Sequence, residues 1–499
     1  MKWLSFLHFY QPADQQKDII DAVVSQSYLP VFKIINSSQF GSQSVNISGS
    51  LVELLDNHGY HDLLGLIRKA LEHGKIELTG SCKYHSFIPL VSENEIYRQI
   101  TQNDETLSYY FGKAYKKAGF FPPEMAYTSF LPAMIEELGY KWLILDEIAY
   151  NKGISYPGGD KLYRIKGGNL AVFYRNRRLS NLVMSAVVRS KRSLDAAIKD
   201  LAGTPYIVTG MDGETFGHHR PGLESLLGEI ISSKSPYSVM SISEFLNSSL
   251  EKMEKEETDP FESTWASSPQ DIEKGNQFLS WFDRSNPIHK YQWDFYKFTL
   301  DLFYKVPESA DNFEELRKKM DIAISSDHFW WASAKPWWSI EMIEQGAFRF
   351  LDIVSSIQGI SEDDINTAQR YYQQIVSLAF DWQRSGKIRQ MAREQNEALR
   401  IPFKERTYEK GGHQKGVWEA FIYLIKNQEL EAAKNQEYEK AILWRDALYK
   451  LEHKLDIYDM LNAIDLLRIE IGNGEVEKTL DKYTEKYHKI RGGQPEQRG

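Results

Sequence analysis

The sequence predicts an α/β unit followed by a helical one, and three observations predict it. Short apolar or alternating runs recur through the first 290 residues, helical patterns separate most of them, and beyond about residue 290 aromatic-rich helical stretches replace the strand signals. Alternating strands and helices make parallel βαβ units, which either close into a barrel or open into a doubly wound sheet; the run lengths fit both.

Taken in order, strands are expected at 3–10 (WLSFLHFY), 45–50, 75–80, 119–121, 142–147, 170–175 and 205–211. Between them, LVELLDNHGYHDLLGLIRKALEHG reads as one amphipathic helix ended by Gly74, and SENEIYRQITQNDETLSYYFGKAY opens on the capping-box pair Ser92 and Glu95. The α/β unit is expected over 1–290 and a helical region over 291–380, carried by KYQWDFYKFTLDLFYK and FWWASAKPWW. A polar helical extension is expected over 381–490, with an amphipathic hairpin at 427–455, and a disordered tail over 491–499.

Composition narrows the function. The 499 residues are 42% hydrophobic and 26% charged, as in a folded, water-soluble protein, and the net charge of −9 argues against a nucleic-acid binder that works through a basic surface. Cys82 is the only cysteine and cannot form an internal disulfide, while MKWLSFLHFYQP reaches polar residues and a proline too early for a secretory signal, so a cytoplasmic protein is expected. No run approaches the roughly 20 apolar residues that span a bilayer. Aromatic residues make up 13%, and their flat faces suit both a core and the C–H face of a sugar.

In α/β folds of these kinds chemistry gathers at the carboxyl ends of the strands. Those ends carry His8 and Gln11, then Glu77, then Glu124 in FFPPEM, and finally Asp212, Glu214 and His218 in MDGETFGHH. Singly, a strand-end glutamate reads as well as a cap or an ion-pair partner, and His8 as a hydrogen-bonded core histidine. Together they say more. Pro122 and Pro123 fix the turn that carries Glu124, and Asp212 and Glu214 share one tight turn, where mutual repulsion and burial would keep a proton available near neutral pH. A carboxylate and a carboxylic acid across one cavity are what glycosidic bond cleavage requires. Asp146 and Arg175 are further strand-end candidates that read equally as an ion pair.

The ordered set LHFYQP, GKIELTGSCKYH, FFPPEMAY, MDGETFGHH and SDHFWW resembles the five conserved regions of glycoside hydrolase family 57, the α-amylase, 4-α-glucanotransferase and branching enzyme group, over about 330 residues. The resemblance implies an incomplete (β/α)7 barrel, a helical region that supplies the fifth motif and completes the cleft, a retaining mechanism on α-glucans, and no metal or cofactor. It implies that Glu124 is the nucleophile and Asp212 the acid/base. Sugar binding would fall to His8, Gln11, Glu77, Glu214, Phe216, Asp327 and Trp330, with His218, Asp146 and Arg175 beside them. Two positions depart from the family's pattern: Tyr10 stands where many members have a second histidine, and Phe121 where many have tryptophan.

Two rival readings are a metal-dependent polysaccharide deacetylase or mannosidase on a related barrel, and a carbohydrate-binding protein without catalysis. The first needs three or four N/O ligands, for which His58 and His61 offer a helical pair that reads better as surface. The substrate partner is expected to be an oligo- or polysaccharide, with no membrane. The hairpin segment NQEYEKAILWRDALYKLE resembles the UVR motif, a site for a protein partner; packing on the rest of the chain or a homo-oligomer contact is the alternative.

Overall fold

The computed structural model describes residues 1–391 apart from 156, 187, 202, 235, 250–252 and 336, then 417–453 and parts of 463–483. Its strands are β1 (Lys2–Phe9), β2 (Gln43–Ile47), β3 (Ile76–Leu78), β4 (Gly119–Phe120), β5 (Trp142–Asp146), β6 (Lys161–Ile165), β7 (Ala171–Arg175), β8 (Tyr206–Asp212), β9 (Ser238–Met240) and β10 (Glu254–Thr258). Seven of them form a parallel ring. β1 lies between β2 and β8, and β2 pairs with β3. Just past β3, Gly80 bridges Phe120 of β4, which continues through β5 to β7. The β7–β8 seam is thin: Asn176 N donates to Val208 O at 2.7 Å and Arg175 Nε to Gly210 O at 2.6 Å. This is the incomplete (β/α)7 barrel, and its seven ring strands fall on the seven expected runs. The three strands the sequence did not reveal lie off the ring: β6 runs antiparallel to β7, β10 pairs with β6, and β9 pairs with the first residues of β1.

Period-two alternation decides what faces inward. Leu4 and Phe6 of β1, Trp142 and Ile144 of β5, Ala171 and Phe173 of β7, and Tyr206 and Val208 of β8 fill the barrel, and the helix Ile242–Ser249 plugs its base with Ile242, Phe245 and Leu246. The intervening Trp3, Leu7, Phe9, Val45, Ile47, Ile76 and Leu78 turn outward into a second core against flanking helices. One step further along the inward columns the pattern turns polar, at His8, Asp146, Arg175 and Asp212. The same alternation that packs the barrel therefore lays a polar floor across its mouth.

Two helical expectations change. The helix expected to run to Gly74 is broken into Gly49–Asn57 and His61–Glu72, because Gly59 takes a φ of 79° and the chain reverses there. His58 and His61 therefore do not share a helix face, and His61 Nδ1 sits 3.2 Å from Asp56. The capping box at Ser92 does not form; Glu95 is drawn away to the buried guanidinium of Arg317 and to Tyr304.

Helices Pro287–Phe303, Phe313–Ala323, Ile340–Ser356 and Glu362–Ser385, with the single turn Asp327–Trp330, make up the helical region. It shares one apolar core with the barrel's other flank, in which Phe120, Leu143 and Leu145 join Ile288, Phe295, Phe329 and Ile343. Further on, helices Val417–Lys434 and Tyr438–Glu452 form a hairpin through Gln436, at φ 61°, with a core of its own around Phe421, Leu424, Ile425, Trp444 and Leu451. The hairpin starts ten residues before the expected 427; residues 454–455 and the tail 491–499 lie outside the described residues. Among the described residues no helix is long and apolar enough to cross a membrane.

Candidate active site

The polar floor is set by strand register. His8 pairs with Asn46 on one side and with Asp212 on the other, so three strand ends present side chains at one level. Beyond Asp212 the chain turns at once: Gly213 leaves room for the Phe9 ring, which a Cβ would meet at 2.1 Å, and Gly217 takes a φ of 108° against the backbone of Gln26. Between these two glycines Glu214 is folded back and buried, accepting from Tyr28 Oη and from Gln11 Nε2 at 3.4 Å.

Glu124 enters from the end of β4. The two prolines stiffen the approach, and Glu124 and Met125 then adopt φ values of 62° and 49°, a left-handed conformation that costs a non-glycine residue about 1–3 kcal/mol. Its Oε2 accepts from Trp265 Nε1 at 2.6 Å, while Oε1 lies 3.9 Å from His85 Nδ1. From the helical region Asp327 accepts from Tyr10 Oη at 2.6 Å.

Four carboxyl groups thus gather where few cations compensate them. Burial pushes Glu124 up to about 8, the charge of Asp212 adds to the rise, and the Trp265 N–H opposes it. Burial raises Asp212 to about 6 against the pull of Arg175. Glu214 is raised to about 8 by burial and by Asp212, and Asp327 is raised by burial. Near neutral pH the Glu124–Asp212 pair therefore retains a proton, which belongs to the pair as a unit.

A neutral ring stack backs these acids. Tyr10, His85 and His8 lie nearly parallel, with centroids 4.1 and 5.1 Å apart. Asn46 Nδ2 donates to Thr79 Oγ1 at 3.2 Å, so its oxygen faces His8 Nδ1, 2.9 Å away, and that nitrogen must carry a hydrogen. His8 Nε2 then accepts from His85 Nε2 at 3.2 Å, and His85 Nδ1 accepts from Ser326 Oγ at 2.9 Å. One hydrogen-bond direction thus runs from the helical region to β2. Burial lowers His8 to about 4 and holds His85 well below the usual histidine range, so both rings stay neutral. Among the described residues no group of three or more His, Cys, Asp or Glu side chains converges as a metal ion would need.

The structure brings His8, Gln11, Glu124, Asp212, Glu214 and Asp327 to one mouth and disposes of the other expected residues differently. Glu77 faces inward but too low; its Oε1 accepts from Ser44 Oγ at 2.5 Å and from Ser243 N at 3.1 Å, at the start of the plugging helix. Asp146 is 1% exposed and both its oxygens are taken, one by Arg175 at 2.6 Å and the other by Arg177 at 2.9 Å, so it is an ion-pair residue without an oxygen for sugar. Arg175 likewise spends its donors on Asp146, Gly210 and Asn181, and reaches the site through its field on Asp212 and its guanidinium face on the Trp265 ring. Phe216 is 1% exposed in the outer core, so its ring presents no face to a ligand. His218 bonds Gln26 at 2.7 Å, with Gln26 on the surface. Trp330 is half-buried and stacks on Trp337 at 4.7 Å.

Four residues of the site escaped sequence reasoning. His85 closes the second motif quoted above, but nothing in that motif announced a φ of 58° or a stack on His8. Asn46 and Tyr28 sit in apolar stretches where they read as core. Trp265, in the segment STWASSP, lies well outside the five motifs and has no local signal at all.

Known proteins match this arrangement. The family description Glycosyl hydrolase family 57 matches residues 4–258, slightly more than half of the chain. A 1,4-alpha-glucan branching enzyme of Thermococcus kodakarensis is 29% identical over 153 residues, which cover 25% of this chain, and an alpha-amylase of Pyrococcus horikoshii is 24% identical over 230 residues, which cover 45%. The chain spans only 22% and 35% of the length of those two relatives. The crystal structure of a branching enzyme of the same family from Pyrococcus horikoshii superposes with a TM-score of 0.59 at 14% identity, covering 74% of this chain and 94% of that one, and so shares the fold. With the family matched from β1 to β10, over more than half of its length, the chain belongs to glycosyl hydrolase family 57.

Proposed function

We propose that the chain is a retaining glycoside hydrolase or transglycosylase acting on α-glucans, with Glu124 as nucleophile and Asp212 as acid/base. The observation that carries the reading is Glu124 itself: a half-buried carboxyl group in a strained left-handed turn, one oxygen tied to an indole N–H and the other left toward the mouth it shares with Asp212. The branching enzyme and amylase among the relatives support an α-glucan as substrate.

In the first step Glu124 bonds to the anomeric carbon as the glycosidic C–O bond breaks and Asp212 gives its proton to the leaving oxygen. In the second, water or a sugar hydroxyl attacks, yields its proton to Asp212 and releases Glu124. Without substrate the Glu124–Asp212 pair holds one proton between its two members. A glycosidic oxygen beside Asp212 accepts a hydrogen bond only from the protonated acid, and positive charge building at the anomeric carbon favours ionised Glu124, so substrate moves the proton to where the first step needs it. Gln11, Glu214 and Asp327 supply donors and acceptors for sugar hydroxyls, and the neutral His8 and His85 rings, whose nitrogens are bonded to one another, to Asn46 and to Ser326, back them.

The barrel over 1–290 and the helical region over 291–380 form the catalytic unit in this reading, and the extension over 381–490 is an accessory that contacts a second copy or a partner. A cytoplasmic location is part of this reading, supported by a single cysteine that cannot form an internal disulfide. Incubation with maltooligosaccharides and with glycogen, products being separated by length and linkage, tests the function. New product lengths from the wild type and none from Glu124→Gln are expected; longer chains mark transfer, new branch points mark branching, and shorter chains alone mark hydrolysis. A wild type inert on every α-glucan, or a Glu124→Gln variant that still turns over, overturns it.

A further inference from the structure

We infer that Trp265 is a positioning residue for the nucleophile: it fixes the rotation of the Glu124 carboxylate and the turn that carries it, and the Asp146–Arg177 pair holds Trp265 in place. This rests on Glu124 being the nucleophile. A left-handed glutamate is held against its own preference, so a contact outside the turn must restrain it. Trp265 supplies two: its backbone N donates to Glu124 O at 3.1 Å and its indole Nε1 to Glu124 Oε2 at 2.6 Å. The neighbouring residue adds a third bond to the same turn, since Ser263 O accepts from Tyr127 N at 2.9 Å.

An indole N–H can only donate, and it bonds more strongly to an ionised carboxylate than to a neutral carboxyl, so it favours the charged form without enforcing it. It pins Oε2, which leaves Oε1, 3.9 Å from His85 Nδ1, to meet the anomeric carbon. The indole itself has little room to move. Its ring lies between Phe121, with centroids 6.0 Å apart, the edge of His8 at 6.2 Å, and the guanidinium of Arg175 at 5.7 Å. Arg177 donates to Trp265 O at 3.0 Å and to Ser267 O at 2.6 Å, while its Nε donates to Asp146 at 2.9 Å. Asp146, which binds no sugar, thus acts on the reaction through an arginine, a loop and an indole.

Trp265→Phe keeps the ring and removes the N–H. Expected are a kcat lower by ~10–100-fold, as for misplacement of a reacting group by about 1 Å, a KM changed by less than ~3-fold, and an acid limb of the kcat/KM profile displaced to higher pH because Glu124 loses the donor that favours its ionised form. Arg177→Lys, which leaves the indole in place but loses the forked contact, is expected to lower kcat in the same direction by ~3–10-fold. A thermal melt of each variant identifies loss of folding. If Trp265→Phe is folded and both kcat and the acid limb stay at wild-type values, or if only KM rises as for a sugar-stacking ring, the positioning role is overturned. So it is if Trp265→Phe does not fold and Arg177→Lys is folded with unchanged kcat. Glu124→Gln separates the two readings: a dead Glu124→Gln beside an unaffected Trp265→Phe refutes the positioning alone, and an active Glu124→Gln refutes the nucleophile.

Discussion

The two ends of the barrel handle buried carboxylates in opposite ways. At the base Glu77 receives a hydroxyl and a main-chain N–H at the start of the plugging helix, where the helix dipole favours negative charge, and it joins strand to plug. At the mouth Glu124, Asp212, Glu214 and Asp327 face one another; Trp265 donates to Glu124, Tyr10 to Asp327, and Tyr28 and Gln11 to Glu214, while the arginine nearest Asp212 is already committed to Asp146. Both sets are raised by burial, but only the acids at the mouth raise one another. A buried carboxylate is structural when its acceptors are filled by the fold, and reactive when the fold leaves them for a ligand.

Asp212→Asn should break that contrast most severely, lowering kcat by ~10²–10⁴-fold with the fold intact, as measured by steady-state kinetics beside a thermal melt. Asp146→Ala comes next: it strands the guanidinium of Arg175 in the interior and weakens the grip on Arg177, and denaturant unfolding should show a loss of about 3–5 kcal/mol. A subtler test uses pH. The folded chain keeps protons on Glu124 and Glu214 up to about 8 and on Asp212 up to about 6, whereas the unfolded chain releases them near the ordinary carboxylate range. The native state thus binds more protons, and these groups make stability fall as pH rises from about 4 to about 8. Melting temperatures across that window should decline with a shallower slope in Glu124→Gln; an identical slope would break the link. The smallest effect belongs to the base. Glu77→Gln retains the accepting oxygen and should leave kcat within ~3-fold of wild type, whereas a fall of ~100-fold or more would return Glu77 to the sugar site.

Most of the barrel was legible in the sequence, because inward and outward faces alternate with period two and a switch from Phe6 to His8 or from Ile144 to Asp146 is visible in one dimension. The three strands off the ring were hidden. β6 and β10 carry the charged runs KLYRI and EKEET, which bury little and have no alternation to read. Among the acids, Glu124, Asp212 and Glu214 stood out because prolines or glycines flank them, and such residues prescribe turns. What could not be read was depth: Glu77 lies inside the three-residue β3 and Glu124 four residues past the two-residue β4, and only the plugging helix and the left-handed turn tell their roles apart. Aromatic roles were equally opaque, since Phe216 in a motif is core while Trp265 outside every motif holds the nucleophile.

The position of β1 at the centre of its sheet has a consequence for synthesis. One edge of β1 is covered by β2 early, but the other is completed by β8, where Ser5 meets Thr209 about 200 residues later. At ~5–20 residues per second β1 waits on the order of 10–40 s for β8, with an unpaired edge and the apolar residues Leu4 and Phe6 uncovered. The strand that carries His8 is therefore open on one edge until β8 has been made, and only then becomes the floor of the active site.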